Sequence, residues 1–340
     1  MKILYVAMQY DYGDKARGLS YEHTNFYHTL VSMGHDVIHF DFMEEMVASG
    51  KSAMNRKLKQ LAHAEKPDLL FCLLYQDQID IDTIQEIGRR TETTTFNWFH
   101  DDGWRFESFS RHFAPAFDYV STTSRDALAK YERIGYRSVI LTQFAFNHYL
   151  YRREPVPLEY DVSFVGQVHG NRRELVSSLR RVGIKVSTWG QGWEMGRLSQ
   201  QEMIRVFNQS RINLNFSDAS TAHRPSWWRW PLPMGVFRKP KQIKGRVFEV
   251  PGCGGFMLTD IPPHLSEYYQ PGQEVAMFSD HRDLARKLRF FLLHDAARRK
   301  IAEAGYQRAI RSHTYEQRFN RLFIEMGLSS TVLSDPPRQG

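Results

Sequence analysis

Short apolar runs alternate with helical periodicity along the first half of the chain. The runs at 3–8, 37–40, 69–74, 94–99, 119–122 and 139–142 predict strands. Apolar positions three and four residues apart predict helices over 22–33, 52–65, 79–89 and 124–134. In the last, Ala127, Leu128, Tyr131 and Ile134 share a face. Strands alternating with helices imply βαβ units and a parallel sheet. Residues 147–158, with Pro155 and Pro157 among charges, have no period and read as a linker.

The rhythm then restarts. Strands are predicted at 161–165, 185–188, 212–216, 255–259 and 274–278. Helices are predicted at 172–182, 200–210, 245–250, 283–293, 296–312 and 315–326. Ser199 with Glu202 makes a capping box, and Thr314 with Gln317 a second cap. The pattern predicts an α/β chain of two Rossmann-like, doubly wound domains facing across a cleft. The domains are 1–150 and 159–327, with a frayed tail over 328–340.

Composition narrows the class. The 340 residues are 42% hydrophobic and 24% charged, which excludes a disordered, collagen-like or coiled-coil chain. No apolar run approaches the roughly 18 residues of a membrane span. The apolar first residues meet Asp11, Gly13 and Asp14 at once and read as a buried strand, not a signal peptide. Cys72 and Cys253 are the only cysteines and lie far apart. A disulfide framework and a cysteine-based zinc site are not expected, and a cytoplasmic location is. The net charge of +7 equals the seven Lys and Arg residues of 223–246, a segment with no acidic residue. The rest of the chain is balanced, so nucleic acid is not an expected partner.

In doubly wound sheets ligands bind beyond the carboxyl ends of the strands. After the strand at 161–165 come Gly166 and a helix opening at Arg172, suited to phosphate, or an ordinary strand–turn–helix. After the next strand, Gly190, Gly192 and Trp193 would let a nucleobase lie on the backbone against an aromatic wall. Alternatively, they form a tight turn with Trp193 in the core. Asn215 closes the following strand as a further donor-side candidate.

The densest stretch is 244–260. Glu249 sits among apolar residues, where a carboxylate is costly unless paired or ligand-bound. It would accept both hydroxyls of a ribose, with Arg246 facing a diphosphate and Gly254 in the turn beyond. Alternatively, Arg246 and Glu249 form a helix-surface pair.

The strand at 94–99 ends in His100, Asp101 and Asp102, a natural general-base site, unless one aspartate caps the next helix. Tyr12, Tyr21, Glu22 and Trp104 offer rings and a carboxylate suited to stacking and hydroxyl contacts, on loops that otherwise read as surface. Adjacent aspartates point in different directions, so no metal pair is expected. The segment 225–233 holds three of the seven tryptophans beside arginine. It reads as a lid, as a packed loop, or as a peripheral contact with the inner face of a membrane.

The stretch 246–260, the following 262–272, and Ala304-Gly305 with His313 to Glu316 resemble the donor-binding half of GT-B-fold glycosyltransferases. The likeness is to the spore-maturation-protein-like group with a "glycosyl transferases group 1" C-terminal domain, and covers about half the chain, 160–327. The resemblance implies an N-terminal acceptor domain in which Tyr12, Tyr21, Glu22 and Trp104 contact the acceptor, a C-terminal donor domain, a nucleotide-diphosphate sugar such as a UDP-sugar as substrate, and no cofactor or bound metal. It implies that Glu249 holds the donor ribose; the earlier glutamate of the family's Glu-x7-Glu pair falls at Lys241. The expected activity is sugar transfer to a hydroxyl acceptor: a glycan, a protein or a small molecule. The rivals are a nucleotide-sugar epimerase of the same fold and a noncatalytic polyanion binder using the basic Trp-rich segment.

Overall fold

The eleven strands among the described residues pair in parallel, in two separate sheets. The structure is a computed structural model that describes residues 1–74, 76–218 and 241–328. The Trp-rich segment and the tail beyond residue 328 lie outside them.

In the first unit, β1 (Lys2–Val6), β2 (Asp36–Phe40), β3 (Leu69–Cys72), β4 (Thr94–Phe99), β5 (Tyr119–Thr122) and β6 (Val139–Leu141) form one sheet, ordered β2-β1-β3-β4-β5-β6. The chain steps one way from β1 to β2 and the other way from β1 to β3. The topological switch point therefore lies between β1 and β3. Both faces are covered, as an all-parallel sheet requires. Leu4, Val6, Leu70 and Cys72 look one way; Ile3, Tyr5, Leu69 and Phe71 look the other.

The second unit repeats the plan with β7 (Tyr160–Val165), β8 (Val186–Trp189), β9 (Ser210–Asn215), β10 (Met257–Asp260) and β11 (Ala276–Phe278), ordered β11-β10-β9-β7-β8. Its switch point lies between β7 and β9. Phe164, Ile212, Leu214, Phe256 and Leu258 form its core with Leu284 and Leu288 of the helix His281–Leu293.

Three local features depart from expectation. Helix Phe42–Ser49 escaped the periodicity; Asp41 starts it by accepting from the Met43 and Glu44 amides. The stretch expected as one helix over 22–33 contains a π-helical turn, His23–Tyr27, before helix His28–Ser32. A second π turn lies at Phe106–Ser110. Both anticipated capping boxes, at Ser199 and Thr314, are formed.

The unit boundaries differ from the expected 1–150 and 159–327. The units are Met1–Tyr149 with the chain from Thr314, and Leu150–His313. Helix Tyr315–Glu325 returns to the first unit because its apolar face belongs to that core. Tyr315, Phe319, Leu322 and Phe323 are buried with Phe26, Phe71 and Trp98, and the Tyr315 hydroxyl meets that of Tyr21 at 2.8 Å.

Candidate functional site

A pocket opens in the first unit at the carboxyl ends of β1, β3 and β4, beside the switch point. Met8 follows β1, Leu73 and Leu74 follow β3, and Trp98 to Asp101 close β4. Glu22, Arg105, Phe109 and Ser110 complete the wall. Glu22 immediately precedes the first π turn, and Phe109 and Ser110 belong to the second. Such turns are irregularities often found at functional sites.

Glu22 and His100 face each other in this pocket, with Oε1 and Nδ1 3.6 Å apart. That is beyond a direct hydrogen bond. Burial dominates both groups and disfavours both charges. It raises the Glu22 carboxyl to about 7, with Asp11 and Asp101 adding to the rise. It lowers the His100 imidazole to about 4, against an opposing pull from Asp101. His100 lies stacked at 5.2 Å on Phe144, and its buried Nε2 has no partner among the described residues. At neutral pH the pocket holds a neutral imidazole beside a carboxyl near its midpoint, a combination suited to moving a proton.

The two adjacent aspartates separate cleanly. Asp102 is fully buried, accepting from Ser110 Oγ at 2.5 Å and from Tyr131 Oη at 2.8 Å, with Thr122 also bonded to it. Burial pushes its carboxyl up against those hydrogen bonds. Asp102 is a structural post, which removes it from the expected catalytic pair. Asp101 lines the pocket. It stands before helix Asp102–Arg105 without a side-chain cap; its carbonyl accepts from the Trp104 and Arg105 amides. Capping therefore is not what its carboxylate does.

The expected acceptor contacts divide as well. Glu22 lines the pocket. Tyr21 does not; its ring packs edge-on to Phe144 and its hydroxyl is tied to Tyr315. Trp104 is 40% exposed beside Arg105, outside the pocket wall. Tyr12 is 43% exposed and left-handed at φ 55°, with Arg17 over its ring at 4.6 Å. Arg105 is the pocket residue that sequence reasoning missed; it follows the His-Asp-Asp run by only three positions, and its guanidinium lies 4.7 Å from the Phe109 ring centre.

In the second unit, helix Arg246–Gly252 carries the Arg246–Glu249 ion pair. Glu249 is fully buried, so this is no surface pair. Arg246 engages Oε2, and Oε1 has no hydrogen-bond partner among the described residues. Lys241, at the position of the family's earlier glutamate, pairs with Asp260 at 3.0 Å.

The other donor-side candidates have structural employment. Arg172 is buried at the switch point, where Nη1 and Nη2 donate to the carbonyls of Gln167 and Phe216, clasping the loops after β7 and β9. Burial lowers its guanidinium to about 10. Two of its donors are spent on backbone, and the buried Nε has no hydrogen-bond partner among the described residues. Gly190 has φ +125°, and a Cβ there would stand 2.4 Å from the Gly166 carbonyl oxygen. Gly190 thus lets two turns pack backbone on backbone, while a Cβ at Gly192 (φ +89°) would meet the Val168 side chain at 3.1 Å. Trp193 is buried with Phe164, and its Nε1 donates to the Gly166 carbonyl at 2.8 Å, so it is core and not a wall for a base. Asn215 is buried and donates to Thr259 Oγ1 at 2.9 Å. Gly254 leaves room for Arg153, whose Nε would stand 2.4 Å from a Cβ at that position. The φ of Gly254, +72°, is left-handed, a conformation that favours glycine.

Both cysteines are free and buried. Among the described residues no cluster of three His, Cys, Asp or Glu is placed to hold a metal. None of the helices there is long and apolar enough to cross a membrane.

Comparison with known proteins supplies the family context. Residues 171–323 match the family model "Glycosyl transferase-like". The chain is 21% identical over 221 residues to the spore protein CgeB of Bacillus subtilis, a match covering 59% of this chain and 65% of that protein. Among solved structures, Anabaena HepE in complex with UDP superposes with a TM-score of 0.65 at 12% identity, over 96% of this chain and 100% of HepE. Sucrose-phosphate synthase from Thermosynechococcus elongatus superposes with a TM-score of 0.64 at 10% identity, over 96% and 99%. The chain has the GT-B fold, carries a glycosyl transferase-like domain over residues 171–323 and resembles CgeB.

Proposed function

We propose that this protein transfers a sugar from a nucleotide-diphosphate sugar to a hydroxyl acceptor. The observation that carries this is the buried Arg246–Glu249 pair inside the glycosyl transferase-like segment, on a GT-B scaffold. HepE was solved with UDP, so a UDP-sugar is the first donor to test.

Glu249 accepts from the donor ribose hydroxyls. Arg246 turns its charge to the diphosphate and stabilises the negative charge that develops as the sugar–phosphate bond breaks. In the acceptor pocket, the acceptor oxygen attacks the anomeric carbon and passes its proton to Glu22, with neutral His100 and Asp101 orienting the hydroxyl. This assignment serves an inverting reaction, in which one base acts once. The diphosphate is neutralised by protein groups, so turnover persists in EDTA.

The test is a thermal-shift screen with UDP-, GDP-, ADP- and dTDP-sugars. A ligand at a hundredfold excess over its Kd stabilises by roughly 2.7 kcal/mol. Stabilisation by one nucleotide class supports the proposal, and no shift with any of them contradicts it.

A further inference from the structure

Three buried polar atoms of the second unit gather at one place without a hydrogen-bond partner among the described residues: Glu249 Oε1, Tyr151 Oη and Gln200 Nε2. Tyr151 is almost fully buried, and its hydroxyl lies against both Glu249 and Gln200. Burial, with the charge of Glu249 adding to it, pushes the Tyr151 phenol well above its ordinary range, so the hydroxyl keeps its proton and remains a donor. Gln200 is the first residue of helix Gln200–Gln209, opened by the Ser199 capping box, which fixes the backbone that carries it. One carboxylate oxygen is thus served by Arg246, and the carboxylate also lies against the Tyr151 hydroxyl, with the Gln200 amide behind that hydroxyl.

This arrangement has a consequence for the donor site. With its cation in place, Glu249 is a compensated buried charge. If Arg246 turns to a diphosphate, the carboxylate is left buried with its charge unbalanced, which is strongly unfavourable unless other donors take over. We infer that Tyr151, with Gln200 set behind its hydroxyl, is a positioning residue that holds the Glu249 carboxylate when Arg246 leaves it for the nucleotide. This rests on the donor-site reading above. It adds two residues from outside helix Arg246–Gly252, one of them at the very start of the second unit. Tyr151 and Gln200 act only through Glu249. A phenylalanine at 151 would fill the same space but would strand the carboxylate.

The test is calorimetric titration of the full chain with the tightest binder among UDP, GDP, ADP and dTDP. The variants are Tyr151→Phe, Gln200→Ala and Glu249→Ala, with Tyr151→Phe and Gln200→Ala each also combined with Glu249→Ala. Tyr151→Phe should weaken binding about tenfold, the scale of one hydrogen bond to a charged group. In the Glu249→Ala background the same change should have no further effect, a dependence that general loosening of the fold would not produce. If Glu249→Ala weakens binding and Tyr151→Phe does not, the inference fails and the donor site stands. Losses that multiply in the double variant also overturn it, because Tyr151 then acts independently. A folded Glu249→Ala protein with unchanged affinity, or no binding of any of the four nucleotides, overturns the donor-site reading and the inference together. Should Tyr151→Phe not fold, Gln200→Ala carries the same comparison: a loss that vanishes without Glu249 supports the inference, and no loss overturns it.

Discussion

Glu22 and His100 share a pocket wall with Oε1 and Nδ1 3.6 Å apart, and burial drives the carboxyl up to about 7 and the imidazole down to about 4. Near neutral pH a lone proton sits on the carboxyl rather than on the ring. This inverts the order of the free side chains and makes the carboxylate, once formed, the base of the pair.

Activity should therefore rise with pH through about 7 as Glu22 ionises. Glu22→Gln should cut kcat by roughly 10²–10⁴-fold and abolish that limb, with nucleotide affinity nearly unchanged. The pH profile of kcat for the two proteins is the measurement. A Glu22→Gln enzyme with normal turnover and the same limb would move the base to Asp101.

The same two shifts govern stability with opposite signs. Glu22, raised when folded, contributes stability that is present below its unfolded value and lost as pH rises towards about 7. His100, depressed when folded, contributes stability that is present above its unfolded value and lost as pH falls towards about 4. From about pH 4.5 to 6.5 the slopes oppose each other, because folded and unfolded states bind the same single proton in different places. Glu22→Gln should unmask the His100 slope: denaturant unfolding would show stability falling more steeply from pH 6.5 to 4 than in the native protein. An unchanged pH dependence would contradict the pairing.

Asp102 should behave unlike its neighbour. Asp102→Ala strands the hydroxyls of Ser110 and Tyr131 in the core, and the protein should lose about 3 kcal/mol of stability in urea unfolding. Asp101→Asn, at a pocket-lining position, should change stability by less than about 0.5 kcal/mol. Equal stability losses at the two positions would refute the division of roles.

Arg172 should be needed for folding rather than for the nucleotide. Arg172→Lys keeps the charge, but a single ammonium lacks the planar fork that spans the Gln167 and Phe216 carbonyls. Stability should fall by about 2 kcal/mol, while the refolded protein binds nucleotide with nearly native affinity. A stable variant with much weaker binding would restore Arg172 to the donor site.

How much of this was legible in the chain follows from which forces are local. Strand positions were read closely because buried parallel strands are continuous apolar runs: the expected 94–99 and 119–122 are β4 and β5 as observed. The capping boxes at Ser199 and Thr314 were legible for the same reason. The home of helix Tyr315–Glu325 was not, since its apolar face says that it packs but not against which core. Nor could sequence separate Asp101 from Asp102; the decision rests on Ser110 and Tyr131, 8 and 29 positions away. Glycines after β7 and β8 look alike whether they cradle a phosphate or let two turns touch, and here Gly166 and Gly190 touch. Glu22 was marked as an acceptor contact, but its shifted titration comes from burial across the pocket, which no local pattern encodes.

Sugar transfer is tested most directly by measuring release of the nucleoside diphosphate from a panel of nucleotide sugars, in EDTA, with and without a mixture of hydroxyl acceptors. The account predicts release from one nucleotide class, accelerated by acceptor. It predicts a weaker apparent donor affinity in Glu249→Ala and a lowered rate at unchanged donor affinity in Glu22→Gln. No release from any nucleotide sugar by the folded protein, or release that neither substitution alters, would contradict it.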